Sequence, residues 1–260
     1  MNLNSSVKEL SIVVPVYNEA ANVADVHAQI LDVVSKLNKT FEIIFIDDAS
    51  QDNTIAQLKQ LSPVSIVCLQ EHYGQSCAMD AGIKEARGEI IITLDGDGQN
   101  DPADIPLLLG KINEGYDIVC GWRHKRYDPL SKRFVAQGAA LLRKIIVKDG
   151  VHDAGCTLRA YQKRCFNGID LYGGLHRMIP AIFRWRGFKM TEIKVKHHPR
   201  LRGKSKYGWQ RIIEGFCNMV YIWFWRRNPT QTIYAGRKVG YVVKNVIRIS
   251  GDSLSMDPQP

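Results

Sequence analysis

A mostly parallel α/β sheet covered by helices on both faces is the architecture this sequence predicts, and three observations predict it. Short apolar or β-branched runs recur through the first half, segments with helical spacing lie between them, and polar clusters fall where the runs end. Repeated strand and helix units require right-handed crossovers that lay helices on both faces, so the strands read as continuous apolar runs. Ligands of such folds gather beyond the carboxyl ends of the strands. With 260 residues and 45% hydrophobic content, the chain is long enough for one large domain of this kind.

Taken in order, the first run is Leu10–Val16; it ends in Pro15-Val16-Tyr17-Asn18-Glu19 and leads to a helical stretch, Glu19–Lys36. Phe41–Asp47 ends in Asp47-Asp48-Ala49-Ser50 and leads to Asp52–Leu61, and Val64–Gln70 leads to Gln75–Arg87. Glu89–Leu94 opens into Asp95-Gly96-Asp97, after which Pro102–Asn113 is helical, Pro102 suiting a first turn capped by Asp101. Asp117–Cys120 is the fifth strand. Beyond it come a basic stretch, Gly121–Arg133, a helical Phe134–Lys148, the segment HDAGCTLRAY (His152–Tyr161), a helical Leu175–Arg186, a strand over Met190–His198 and a basic loop, Arg200–Lys206. From Gly236 to Ser250 apolar residues alternate (Val239, Tyr241, Val243, Ile247, Ile249), but Asn245, Val242 and Val246 blur the pattern and leave strand and helix both open. The last ten residues are expected to lack order.

The net charge of +9 conceals two opposed halves: Met1–Cys120 carries 7 Lys and Arg against 18 Asp and Glu, and Gly121–Pro260 carries 28 against 8. The first suits a metal and the second an anion or an anionic surface. Six scattered cysteines form no CxxC pair and no zinc-type spacing, so they are read as reduced thiols of a cytosolic protein. MNLNSSVKEL lacks the features of a signal peptide, and no apolar run approaches the ~20 residues of a membrane span. Phe216–Trp225, FCNMVYIWFW, is too short to cross; flanked by Arg211, Arg226 and Arg227, it reads either as a helix lying in the headgroup region or as a buried core helix. No nucleic-acid module accompanies the basic residues, so nucleic acid is not an expected partner.

The stretch LDGDGQNDP (Leu94–Pro102) carries the chemistry. Its close carboxylates repel one another unless a cation or a shared proton sits among them. An EF-hand loop counted from Asp95 would need Gly at Asn100 and Glu at Pro106, so that reading fails. A haloacid-dehalogenase-like phosphatase also places Asp-x-Asp after a strand, but on the first strand and with Thr or Val following, not on the fourth with Gln99. A third reading, beside which the phosphatase stays open as an alternative, is a nucleotide-sugar glycosyltransferase, in which a divalent ion held by Asp95, Asp97 and Gln99 would bridge the donor phosphates and ease departure of the nucleoside diphosphate.

Six segments in order, PVYNEAANV, FEIIFIDDAS, LDGDGQNDP, GWRHKR, DAGCTLRAY and HHPRLRGKSKYGW, resemble the polyprenyl-phosphate glycosyltransferases, the family of dolichol-phosphate mannosyltransferase and of bacterial enzymes acting on undecaprenyl phosphate. The similarity runs from about Leu10 to Trp225. It implies the inverting GT-A fold, transfer of a sugar from a UDP- or GDP-sugar to undecaprenyl or dolichyl phosphate at the cytosolic membrane face, and a Mg2+ or Mn2+ cofactor. It also implies roles: Pro15, Tyr17 and Glu19 at the nucleotide, Ile46 and Asp48 beside its base and ribose, Asp95, Gly96 and Asp97 at the diphosphate and metal with Gln99 assisting, and Arg123, Arg200 and Lys206 on phosphates. Arg126, Arg133 and Arg202 are candidates for the acceptor phosphate. Asp153 is the candidate base if one is needed, with an orienting role the favoured reading. His176 and Arg177 match an HR-x-x-P stretch of the bacterial branch whose role stays open, and His197 and His198 are read as part of the loop approach.

These expectations divide the chain into a transferase domain over 1–210 and, over 211–260, a peripheral interfacial helix and tail without a membrane span. Many bacterial relatives carry C-terminal spanning helices at that point; the departure leaves peripheral attachment, a separate membrane-anchor subunit or a homo-oligomer open. A non-catalytic membrane-surface binding subunit is the alternative from another class, although it would not require Asp48, Asp95, Asp97, Arg200 and Lys206 together.

Overall fold

The computed structural model describes residues 8–124, 147, 149–200, 240–250 and 253–257. Along the chain these form β1 (Leu10–Val16), α1 (Val23–Val34), β2 (Phe41–Asp47), α2 (Thr54–Leu58), β3 (Val64–Leu69), α3 (Gln75–Glu85), β4 (Ile90–Thr93), α4 (Ile105–Asn113), β5 (Ile118–Arg123), β6 (Arg159–Gln162), α5 (Ile179–Trp185), β7 (Met190–Val195), β8 (Val243–Ser250) and β9 (Ser253–Asp257). Short 3-10 turns at Pro102–Asp104, Lys163–Phe166 and Leu175–Arg177 complete the described elements.

The strands lie in one sheet in the order β7-β5-β6-β4-β1-β2-β3-β8-β9. β4, β1, β2 and β3 are mutually parallel, as the βα repeats predict, so their carboxyl ends share one edge. Alternate side chains of these strands serve opposite faces. Ile12, Val14 and Phe45 pack with Val23, Val26 and Ile30 of α1 and Leu108 of α4, whereas Val13, Ile44 and Ile46 pack with Ala78 and Met79 of α3 and Phe183 of α5. Burial on both faces is the physical reason these strands are unbroken apolar runs. α3 fits against the sheet so closely that a Cβ on Gly82 would lie 2.4 Å from Ile46 Cδ1 and 2.7 Å from Val13 Cγ1.

One strand is new, one ambiguous stretch is decided and one expectation changes. β6 inserts between β4 and β5, antiparallel to both, so the fifth strand does not adjoin the fourth; only part of HDAGCTLRAY forms it, which hid it in the sequence. The ambiguous stretch before Ser250 is a strand, paired antiparallel with β3. The last ten residues, expected to lack order, include β9, paired with β8 so that Leu254 sits opposite Ile249 and Met256 opposite Ile247. Gly251-Asp252, a hairpin dipeptide between alternating runs, was the available signal.

The helical Phe134–Lys148 and the interfacial Phe216–Trp225 fall, apart from Val147, outside the described residues. Among the described residues no helix is long and apolar enough to cross a membrane. Cys68, Cys77, Cys120, Cys156 and Cys165 are free thiols. Burial pushes them up to about 11 at Cys68, Cys77 and Cys156 and to about 12 at Cys120 and Cys165, so all five stay protonated near neutrality.

Candidate functional site

A cleft of about 300 Å³ opens at the carboxyl edge of the parallel strands, lined among others by Pro15, Tyr17, Glu19, Asp48, Asp95 and Asp97. Gly96 and Arg200 complete the group of sequence candidates that meet there. Gly96 lets the chain press onto β1, since a Cβ there would lie 2.4 Å from Val16 Cγ1.

Asp95 begins the acidic stretch one residue past Leu94, and its position is fixed on several sides. Its backbone N–H donates to Asn100 Oδ1 at 2.9 Å, Thr157 Oγ1 donates to the same oxygen at 3.1 Å, and Gln75 Nε2 donates to Asp95 Oδ1 at 2.7 Å. Burial, with the nearby Asp97 charge added, holds the Asp95 carboxyl above the usual range; Thr157, Arg123 and Arg177 work the other way.

Asp97 accepts from the Gln99 backbone N–H at 3.0 Å through Oδ1 and from Arg200 Nη2 through Oδ2. Arg200 reaches it from a segment that is pinned to the acidic stretch. His198 N donates to Gln99 O at 2.9 Å, Asn100 and His197 form an antiparallel bridge, and Lys196 N donates to Asp104 Oδ2 at 2.7 Å. Asp97 and Arg200 thus line one cleft; Lys206 falls outside the described residues, as do Arg126, Arg133 and Arg202.

The other wall is organised around Asp48, which is 2% exposed. Its two oxygens accept the backbone N–H groups of Tyr73 and Gly74, both at 2.8 Å, at the start of α3, and His72 Nδ1 lies 2.9 Å from Oδ2. Burial raises the Asp48 carboxyl, against those N–H groups and His72. The His72 ring in turn stacks on Tyr17, with centroids 3.9 Å apart. Glu19 is also engaged: its backbone N–H donates to Thr54 Oγ1 at 2.9 Å, and Asn22 Nδ2 donates to its carboxylate at 2.6 Å.

Three candidates sit elsewhere. Ile46 is fully buried against Gly82 of α3 and does not line the cleft. Arg123 is bound bidentately by Asp153, Nε to Oδ2 at 2.7 Å and Nη2 to Oδ1 at 2.9 Å, and bears on Asp95 through its charge. The Gln99 amide lies 3.5 Å from the His198 carbonyl. Gln75, His72 and Asn100 were not singled out in the sequence. The signal for the first two was the polar run Glu71-His72-Tyr73-Gly74-Gln75 beyond the end of β3, a fourth polar strand end like the three that were noticed.

The donor set suits a hard divalent cation. Two carboxylates lining one cleft, one held above its usual range, leave a negative charge for a cation to offset, and among the described residues no third His, Cys, Asp or Glu joins them in a cage. Mg2+ and Mn2+ accept such sites, one or two carboxylates sufficing when substrate phosphates and water complete the coordination.

A profile of the family described as Glycosyl transferase family 2 matches residues 11–169. The chain is 35% identical over 233 residues to a dodecaprenyl-phosphate galacturonate synthase of Rhizobium johnstonii, covering 84% of this chain and 68% of that protein. It is 35% identical over 221 residues to an undecaprenyl-phosphate 4-deoxy-4-formamido-L-arabinose transferase of Shewanella sediminis, covering 82% and 66%. The chain thus spans about two thirds of the length of these relatives. In fold it is similar to the glucosyl-3-phosphoglycerate synthase of Mycobacterium tuberculosis solved with Mg2+ and UDP, at a TM-score of 0.62 and 18% identity over 82% of this chain and 79% of that one.

Proposed function

The chain belongs to glycosyl transferase family 2, and from that premise we propose that it moves a sugar, with inversion, from a nucleoside-diphosphate sugar to a polyprenyl phosphate at the cytosolic face of a membrane, to which it attaches peripherally. The observation that carries this reading is the meeting of Asp95, Asp97 and Arg200 in one cleft whose other walls are Pro15–Glu19 and Asp48. The polyprenyl acceptor is supported by the names of the relatives and by the strongly basic second half, which suits both a phosphate and an anionic lipid surface.

In this reading Asp95 and Asp97 would hold a Mg2+ or Mn2+ ion, which when bound offsets the charge of the donor diphosphate and makes it a better leaving group. Tyr17 and Glu19 border the nucleotide, Asp48 fixes the His72–Gly74 loop beside it, and Arg200 faces the phosphates. The acceptor's phosphate oxygen attacks the anomeric carbon, the bond from that carbon to the donor's terminal phosphate breaks, and the nucleoside diphosphate leaves with the electron pair. A phosphate monoester has its second pKa near ~6 and arrives already deprotonated, so no general base is required. The placement of Asp153 agrees with that economy: both of its oxygens are committed to Arg123, which suits an orienting group better than a proton acceptor. The phosphatase reading does not account for the family match, and a pure binding subunit would not require Asp48, Asp95, Asp97 and Arg200 together in one cleft.

The test is a transfer assay with purified protein, Mn2+, vesicles containing undecaprenyl phosphate, and a panel of labelled UDP- and GDP-sugars. Label should pass into the lipid fraction from one donor and should fail to do so with Asp97→Asn. A protein inert toward every donor, or equally active as Asp97→Asn, would overturn the reading.

A further inference from the structure

Arg200 occupies one of the two carboxylates assigned above to the cation. Its guanidinium sits on Asp97 Oδ2, and both side chains are largely sequestered, at 18% and 11% exposure. The contact is no chance meeting of a flexible surface side chain. The segment that carries Arg200 is docked along the acidic stretch by the Asn100 and His197 bridge, by His198 N on Gln99 O, by Lys196 N on Asp104, and by His198 Nε2 lying 3.2 Å from Asp101 Oδ2. Asp95 is held otherwise, by the neutral Gln75 amide, and that contact leaves its charge in place.

A cation that uses both carboxylates must therefore take Asp97 from Arg200. A free hydrated ion would break this largely buried ion pair while bringing no anion of its own, and breaking a buried pair is costly. A cation arriving with a nucleotide brings a diphosphate, whose oxygens suit the planar, forked guanidinium. We propose that Arg200 stands in for the divalent cation on Asp97 and passes to the donor diphosphate when cation and nucleotide arrive together, so that the site takes the metal–nucleotide complex and discriminates against the free ion. This rests on the functional reading above and adds to it an order of binding and the residue that sets it.

Displacing one ligand of a shared carboxylate couples two binding events, and such coupling is reciprocal. The discriminating measurement needs no turnover: titration of Mn2+ alone, followed by electron paramagnetic resonance of the free ion, into the wild-type chain, Arg200→Gln, Arg200→Lys and Asp97→Asn. Arg200→Gln should bind Mn2+ alone about tenfold more tightly than wild type, because Asp97 is vacated, while its affinity for UDP or GDP in saturating Mn2+ falls. Arg200→Lys, which keeps a charge that spreads over fewer donors, should fall between and remains informative if the Gln variant does not fold. Asp97→Asn should lose Mn2+ binding and leave the free-ion signal undiminished. Unchanged or weaker Mn2+ binding in both Arg200 variants would overturn the exchange whether or not a nucleotide binds. A wild-type chain that takes Mn2+ as expected but binds neither UDP nor GDP would overturn the functional reading and, with it, the passage of Arg200 to the diphosphate.

Discussion

At the scale of single residues, the groups around the cleft divide into those that face it and those that hold the facing groups in place. Asp95, Asp97 and Arg200 line it, Gln75 both lines it and holds Asp95, and Asn100 and Asp153 commit their polar atoms to neighbouring groups. That division makes Asp153→Asn informative. The acceptor kcat/KM should fall, by about tenfold to a hundredfold, because Arg123 loses its bidentate partner, while the acidic limb of the pH profile stays where the acceptor's own second ionisation puts it, near pH ~6. A general base contributes roughly a hundredfold to ten-thousandfold and titrates in that limb, so disappearance of the limb in Asp153→Asn would contradict an orienting role. Much of this scale was legible in the sequence, since carboxylates at strand ends are costly without partners. Asp48 shows where such reading stops. It was placed beside the base and ribose and it does line the cleft, but its hold on the N–H groups of Tyr73 and Gly74, 25 and 26 residues away, is a contact that no local pattern encodes.

At the scale of elements, the cleft depends on how α3 seats against β1 and β2, because its first residue, Gln75, reaches Asp95. The seat is set by Gly82. Replacing it with Ala would force a methyl into the space of Ile46 and Val13, and such overpacking costs about 1–3 kcal/mol. Gly82→Ala should therefore lower the midpoint of urea unfolding without changing the slope, and should weaken nucleotide binding through Gln75. Wild-type stability in that variant would show that α3 packs more loosely than described. The βα repeats, their order and their parallel pairing were readable because strands covered on both faces must be apolar throughout. β6 was not: four residues, Arg159–Gln162, with a buried Arg159 at their start, carry too little periodicity to be seen, and only the two strands they join reveal them. β8 stayed ambiguous because Val242 and Val246 add apolar residues out of phase, and pairing with β3 is what decides it.

At the scale of the whole molecule, the first half supplies carboxylates at strand ends and the second brings Arg123 and Arg200 toward them, the acid and base asymmetry of the sequence converging on one edge of the sheet. The asymmetry foretold the kinds of ligand, a cation and phosphates, because opposite charges in a shared cleft are stable only with a ligand set that offsets both. It did not foretell which contacts form across 103 residues, such as that of Asp97 with Arg200, since those depend on how the sheet brings the later segments back beside the earlier ones. Whether this convergence binds a nucleoside diphosphate through a cation is decided by equilibrium binding of UDP and of GDP to the wild-type chain and to Asp97→Asn, each with Mn2+ and with chelator. Mn2+ should tighten one of the two nucleotides at least about tenfold in the wild type and have no such effect in Asp97→Asn; equal binding in chelator, or an Asp97→Asn chain that responds to Mn2+ as the wild type does, would rule out binding through a cation at this site.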